Sequence, residues 1–302
     1  MPPRLKHPWR RALEQGLIRA LTLPMVGLIR RLSLRSGRRL AHHLGSVIVL
    51  FIPRRVRLAS RNLEAAFGDR FSPRERRAIA VNVARNMIKV FVELFRFPDL
   101  TPEEVREIIP LEGGENIHAA LARGKGAILI TAHFGNWELG GARVAAEGWP
   151  MAVIARDAAD ASVASVINRA RESQGIRVFG RRDLRGIVRH LHDNGCLGIL
   201  PDQHANSESA RMTFLGRPAW VRRGPAVLAL RTGAALIPAF CPRGADDGVT
   251  MHVLPEIEVD TSPDREQAIT ATMAKISSAI EEQIRKRPDQ WLWFHDRWKE
   301  SK

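Results

Sequence analysis

Cysteine is scarce in this chain: 302 residues carry two, Cys196 and Cys241, with no CxxC pairing. That argues against a disulfide scaffold and a structural zinc site, and a reducing compartment fits best. Several short enzyme signatures are missing as well. There is no GxSxG nucleophile elbow, which argues against a serine esterase or thioesterase. There is no glycine-rich phosphate loop of the P-loop or dinucleotide type and no HExxH, so neither a nucleotide cofactor nor a metal is expected. Long apolar runs are also absent. The segment LAHHLGSVIVLFIP, Leu40 to Pro53, is free of Lys, Arg, Asp and Glu but has 14 residues, and a spanning helix needs about 20. No small-residue cleavage site follows an apolar core near the first residue, so no secretory signal is read.

Acidic residues are nearly missing from one stretch. From Met1 to Arg61 there are 14 Lys and Arg against a single acid, Glu14, so this stretch holds +13 of the net charge of +15. Such a region attracts nucleic-acid phosphates and anionic lipid headgroups through the same field. Its apolar residues favour the lipid. Trp9, Leu13, Leu17, Leu21, Met25, Leu28 and Leu32 recur at helical spacing, and most of the arginines fall elsewhere on the wheel. That is the pattern of a basic amphipathic helix lying in a membrane interface, so an anionic membrane surface is the expected partner and nucleic acid is not. Packing of both segments on the protein itself is the structural alternative.

The rest of the chain is rich enough in apolar residues to bury a full core, 45% of the total being hydrophobic. Ile79, Val83, Met87, Val90 and Leu94 predict a helix from Pro73 to about Pro98, with Ser72 as N-cap and Glu75 in its first turn. A short acidic helix follows from Thr101, and EGGEN near Glu112 reads as a loop. Beyond it, short apolar runs at 127–132, 151–155, 176–180, 196–200 and 235–240 read as buried strands, and 158–174, 182–194 and 224–233 as helices. VTMHVLPEIEV reads as an antiparallel edge addition and 263–287 as a closing helix. The expectation is an α/β fold: a mainly parallel central sheet flanked by helices, preceded by a helical membrane-associating region. The division is expected at 1–105 for the helical region and 106–302 for the α/β domain.

The run AILITAHFGNWELGG places His133 just past a buried strand, where open parallel sheets bind their ligands. Glu138 follows in the first turn of the next helix, where free N–H groups favour an ionised carboxylate. Turned back on the imidazole, it would fix the tautomer and leave the other nitrogen to take a proton from an alcohol. Taken without its neighbours, a His and a Glu at this spacing is more often structural. Asp202 and Gln203 also sit at a strand's carboxyl end, and Arg222, Arg223 and Gly224 precede a helix N-terminus suited to phosphate.

The whole string changes the weighing. HFGNWE preceded by GKGAILITA resembles the lipid A late acyltransferase family, within the acyltransferases that carry a histidine, four intervening residues and an acid. NLEAAFGD, SPRERRAIA, PDQ, FLGRPAWVRRGPAVLALRTGAALIPAF and the terminal WLWFHDRW extend the likeness in order over roughly residues 55 to 299. The resemblance implies transfer of a fatty acyl chain from an acyl carrier protein or coenzyme A thioester to a glycolipid hydroxyl, with no further cofactor. It implies His133 as general base, Glu138 as its partner and Arg156 as support for the oxyanion. Asn136, Asp202, Gln203, Arg222 and Arg223 are then expected at the substrates. It implies work at the cytoplasmic face of the inner membrane, peripheral or monotopic. Relatives with this core also acylate mannosylated phosphoinositides and other glycolipids, and a lysophospholipid is a further alternative, which leaves the acceptor open. A non-enzymatic basic lipid- or nucleic-acid-binding protein is the reading from another class. The tryptophans of the terminal motif read either as an interfacial belt or as core.

Overall fold

The computed structural model describes residues 23–155, 161–204 and 209–299. Four helices come first: α1 over residues 23–31, α2 over Leu34–Phe51, α3 over Pro53–Phe67 and α4 over Pro73–Leu94. The chain breaks between α2 and α3 because Pro53, which lacks an N–H, can only open a helix there. Ser72 and Glu75 form the reciprocal capping box that starts α4. The side of α2 turned to α4 is built from Gly37, Ala41, Gly45 and Val49. These small residues let the two backbones approach closely, and a Cβ on Gly45 would press into the backbone of Arg85.

The expected amphipathic stripe is seen only in part. Trp9, Leu13, Leu17 and Leu21 lie outside the described residues. Met25 and Leu28 are exposed, and Ile29 is the residue of α1 that turns inward. On α2, Leu44, Val47, Ile48, Leu50 and Phe51 point away from the protein, Leu50 at 64% and Phe51 at 78% exposure. Among the described residues, no helix is long and apolar enough to cross a membrane.

After α5 (Pro102–Ile108), the short strand β1 (Leu111–Glu112) and α6 (Gly114–Leu121), the chain enters its parallel core. The order is β2 (Ala127–Ile130), α7 (Trp137–Ala146), β3 (Met151–Ala155), α8 (Ala161–Glu172), β4 (Arg177–Gly180), α9 (Leu184–His192) and β5 (Cys196–Ile199). A hairpin of β6 (Ser209–Phe214) and β7 (Arg217–Arg222) intervenes before α10 (Gly224–Thr232), β8 (Ala235–Phe240), β9 (Met251–Val253) and α11 (Arg265–Lys286). The main sheet runs β1-β9-β8-β2-β5-β3-β4. Strands β8, β2, β5, β3 and β4 are mutually parallel, β9 is antiparallel to β8, and β1 is parallel to β9. This is an α/β fold with a mostly parallel mixed sheet.

Helices cover both faces, so β2 is buried at all four residues. One core lies between the sheet and α5, α6 and α7. The other joins the opposite face to α9, α10, α11 and the inner sides of α3 and α4. Two features differ from the sequence reading. EGGEN is not a loop, since Glu112 ends β1 and Gly114 to Asn116 open α6; β1 pairs outside β9, so β9 is not the edge. The β6–β7 hairpin was not expected; Leu215 and Gly216 both take positive φ, 49° and 78°, as a two-residue hairpin turn requires.

Candidate active site

Strand β2 releases the chain at its carboxyl end, and the loop that follows is fixed at nearly every backbone group. The Asn136 N–H donates to the Cys241 carbonyl at 2.8 Å, Gly135 N–H to Gln290 at 3.1 Å, and Leu292 N–H to His133 at 3.0 Å. Gly135 sits at φ 59°, and a Cβ there would collide with the Cys241 carbonyl, so glycine is needed on both counts. The result is a rigid ledge that carries His133 over the sheet edge.

The imidazole is held by Asp202, not by Glu138. His133 Nδ1 lies 2.9 Å from Asp202 Oδ1, and the His133 backbone N–H donates to Oδ2 at 2.9 Å. Trp291 Nε1 donates to the same Oδ2 at 2.8 Å. Burial alone would push the Asp202 carboxyl up, but the charge and hydrogen bonds of His133 and the Trp291 bond outweigh it and hold it below the usual range. An ionised carboxylate only accepts, so Nδ1 carries the proton and Nε2 presents its lone pair. Gln203 Nε2 stands 3.2 Å from that nitrogen and donates to it. The His133 side chain is 23% exposed and that of Asp202 1%.

Glu138 faces elsewhere. Arg171 of α8 donates to it through Nη2 at 2.6 Å and Nε at 2.9 Å, and Trp137 Nε1 donates at 3.0 Å. The expected contact between Glu138 and the ring is therefore replaced: the first turn of α7 aims the carboxylate at α8. Burial would lower the Arg171 pKa, yet the bond to Glu138 and its charge raise it. Trp137 lies edge-on to His133 with ring centres 5.2 Å apart.

Asn136, expected at the substrate, is fully buried. Its Oδ1 caps α7 through the Leu139 N–H at 3.0 Å, and its Nδ2 donates to Glu93 Oε2 at 2.5 Å. Glu93, 1% exposed, also takes Arg38 of α2 at 2.5 Å and Arg243 at 2.6 Å. Burial would raise the Glu93 pKa, but the two guanidiniums outweigh it and keep the carboxyl ionised. Arg156 lies outside the described residues.

A cavity of about 1200 Å³ folds over the carboxyl edge of the sheet, with His133 and Gln203 at the crest. The lobe between the sheet and α7 is lined by Leu129, Val153, Gly140, Gly141, Gly198, Ala239 and Cys241, with the Glu138–Arg171 pair on its wall. Burial pushes the Cys241 thiol up to about 12, so it lines the wall as an inert apolar group. The lobe on the other face has an apolar side of Ile187, Val227, Leu228 and Ile269 and a basic rim of Arg181, Arg182, Arg222, Arg223, Arg231 and Arg265. Arg223 is paired with Glu266 at 2.5 Å. The structure thus brings His133, Glu138, Gln203, Arg222 and Arg223 to one cavity, with Asp202 behind it and Asn136 away from it. Sequence reasoning missed Arg171 and Trp291. The indole sits in the terminal motif, where its buried position, 2% exposed, points to core and not to an interfacial belt.

The chain matches the family described as bacterial lipid A biosynthesis acyltransferase over residues 6–300. It is 30% identical to the lipid A biosynthesis palmitoleoyltransferase of Escherichia coli (strain K12) over 266 residues, 86% of this chain and 84% of that one. The lipid A biosynthesis lauroyltransferase of the same strain is 28% identical over 267 residues, with the same two shares. A phosphatidylinositol mannoside acyltransferase of Mycolicibacterium smegmatis (strain ATCC 700084 / mc(2)155) is 28% identical over 211 residues, 68% of this chain and 67% of its own. With a histidine on a ledge above a lobed cavity and a match along nearly its whole length, the chain belongs to the bacterial lipid A biosynthesis acyltransferase family.

Proposed function

We propose that this protein moves a fatty acyl chain from an acyl carrier protein or coenzyme A thioester to a hydroxyl of a membrane glycolipid, with His133 as general base and Asp202 as the group that orients it. The observation that carries this reading is the His133 ring at the meeting of an apolar and a basic lobe, with its Nδ1 2.9 Å from the buried Asp202 carboxylate. The acyl chain lies in the lobe beside α7. The arginine-rimmed lobe takes the acceptor, whose phosphate groups suit that rim.

In the reaction the acceptor hydroxyl takes the place of the Gln203 amide at Nε2. Its oxygen attacks the thioester carbonyl as its proton passes to Nε2, and Asp202 stabilises the imidazolium formed. The tetrahedral oxyanion collapses by breaking the C–S bond, and the thiolate leaves with the proton from the imidazolium. No enzyme nucleophile is needed. Arg156 is proposed as the oxyanion's support, and Arg171, fixed by Glu138, as a second cation beside the lobe.

An acceptor of the lipid A precursor type is the first choice, and a mannosylated phosphoinositide the second, since both carry phosphate. Attachment to the cytoplasmic face of the inner membrane is proposed through the basic N-terminal stretch and the exposed apolar side of α2, which carries no Lys, Arg, Asp or Glu from Leu40 to Phe51.

Two measurements test the proposal together. Mass spectra of total lipid from cells with and without the gene should differ by one acyl chain on one glycolipid. His133→Ala and Asp202→Asn should each slow transfer by at least about 100-fold while leaving the circular dichroism spectrum intact. Unchanged lipids, or full activity in well-folded His133→Ala, would end the proposal.

A further inference from the structure

The apolar lobe has a floor, made by Met151 with Ile176 beside it. On the sheet face turned to α7, strand register arranges the inward residues in rows. The row furthest from His133 pairs Ala127 with Ala235 and Cys196, and Cys196 with Met151. The next row sets Leu129 beside Gly198 and Gly198 beside Val153. Leu129, Gly198 and Val153 line the cavity; of the paired strand residues in the far row Met151 alone does, with Ile176, one residue before the pairing of Arg177 with Ala152, beside it. The cavity thus descends to the middle row and is closed there from below by this methionine.

Met151 reaches up as well as across. Gly198 leaves a gap in the middle row, and the Met151 methyl fills it: a Cβ built on Gly198 would lie 2.9 Å from Met151 Cε and 3.4 Å from Val153 Cγ1. The same methyl is 3.9 Å from a Cβ built on Gly141 of α7. The thioether therefore spans the lobe from sheet to helix, resting on two glycines. Methionine is a flexible filler of irregular gaps, and truncating it to alanine leaves the gap below Gly198 open.

Resting on the reaction proposed above, we infer that Met151 is the stop for the end of the acyl chain and that Gly198 sets how high the stop stands. The stop stands where the methyl lies, in the gap left by Gly198, two residues of parallel strand or about 7 Å below the row of Thr131. A chain whose end reaches that height fills the lobe. Chains longer by several methylenes meet Met151, and one methylene in such a pocket is worth about 10-fold or more in discrimination.

The test is a competition among saturated acyl groups of 8 to 18 carbons, supplied as equimolar coenzyme A thioesters and in parallel as carrier-protein thioesters. Extracted lipid is the acceptor, and products are weighed by mass spectrometry. Met151→Ala should move the preferred chain up by roughly two to four carbons, with at least about 10-fold gain for a chain the parent excludes. Gly198→Ala, which forces the thioether higher, should move it down, and the double variant should return toward the parent because the added Cβ no longer meets a methionine. The same preferred length in all four proteins, or a uniform loss at every length, overturns the inference. Should Met151→Ala not fold, Met151→Phe takes its place and must shorten the preferred chain. If the parent uses no thioester at all, the reaction as proposed falls, and the floor is judged on free fatty acids of the same lengths by thermal shift. The strongest stabiliser must then still lengthen in Met151→Ala, and an unchanged optimum refutes the floor.

Discussion

The Asp202 carboxylate has both oxygens directed at donors: His133 Nδ1 on one, the His133 N–H and Trp291 Nε1 on the other. Glu138, closer in sequence, has its own cation in Arg171. This division of partners makes a prediction that separates the two acids. In double-mutant cycles on acyl transfer, Asp202→Asn should be strongly non-additive with His133→Ala, and Glu138→Gln with Arg171→Met, because paired groups lose a shared function once. If Glu138→Gln couples instead to His133→Ala and is additive with Arg171→Met, the partnership seen here does not operate in catalysis. The histidine and the Asp-Gln pair were both legible as chain positions at strand ends. Their meeting was not, because 69 residues separate them and only register joins them. Ile130 pairs with Ile199, and His133 and Asp202 each lie three residues further on, so parallel neighbours carry them to the same height. Sequence proximity favoured Glu138, and the rotation of the first turn of α7 sent it to α8.

Helix α7 depends on one buried side chain at its start. Asn136 caps the Leu139 N–H and donates to Glu93, and neither bond can be replaced by water in a site with no exposure. Asn136→Ala should destabilise the protein by about 2–3 kcal/mol, combining a lost N-cap with a buried carboxylate short of a donor. Urea unfolding measures it; a change under about 0.5 kcal/mol, the scale of an ordinary surface substitution, with a raised Michaelis constant would return Asn136 to the substrate. Most elements of the α/β core were readable because covered parallel strands are continuous apolar runs, as in AILI and ALIPAF. The hairpin of β6 and β7 was not. Its residues SARMTF and RPAWVR mix charge and apolar groups without strict alternation, and its Leu-Gly turn lacks the usual Asn or Asp. The short strand β1 was hidden for another reason: two residues carry no period, and pairing to β9 alone defines them.

Across the whole molecule, charge and apolar exposure gather at the N-terminal side. Residues Met1 to Arg61 hold +13 of the +15, and Leu50 and Phe51 stand out from α2. The helical character of this layer was legible, but which side of α2 turns inward was not. Its buried stripe is made of Gly37, Ala41, Gly45 and Val49, of which hydropathy ranks the first three below the leucines left outside. The cavity gives this layer a kinetic meaning. On the reaction proposed above, a finished product straddles the sheet edge with its new chain in the lobe beside α7, and departure requires drawing that chain out lengthwise. Into water, withdrawal costs roughly 0.8 kcal/mol for each methylene drawn out. Into a bilayer the same carbons pass from one apolar medium to another, and the penalty largely disappears. Dispersed short-chain substrates in plain buffer should therefore give a burst of about one product per enzyme followed by slow release, and anionic vesicles should convert this to steady turnover. Leu50→Gln with Phe51→Gln should keep the burst and lose the response to vesicles. A linear time course from the first turnover in plain buffer would show that the product leaves without a membrane to receive it. On this account the bilayer is less an anchor than the sink that resets the enzyme.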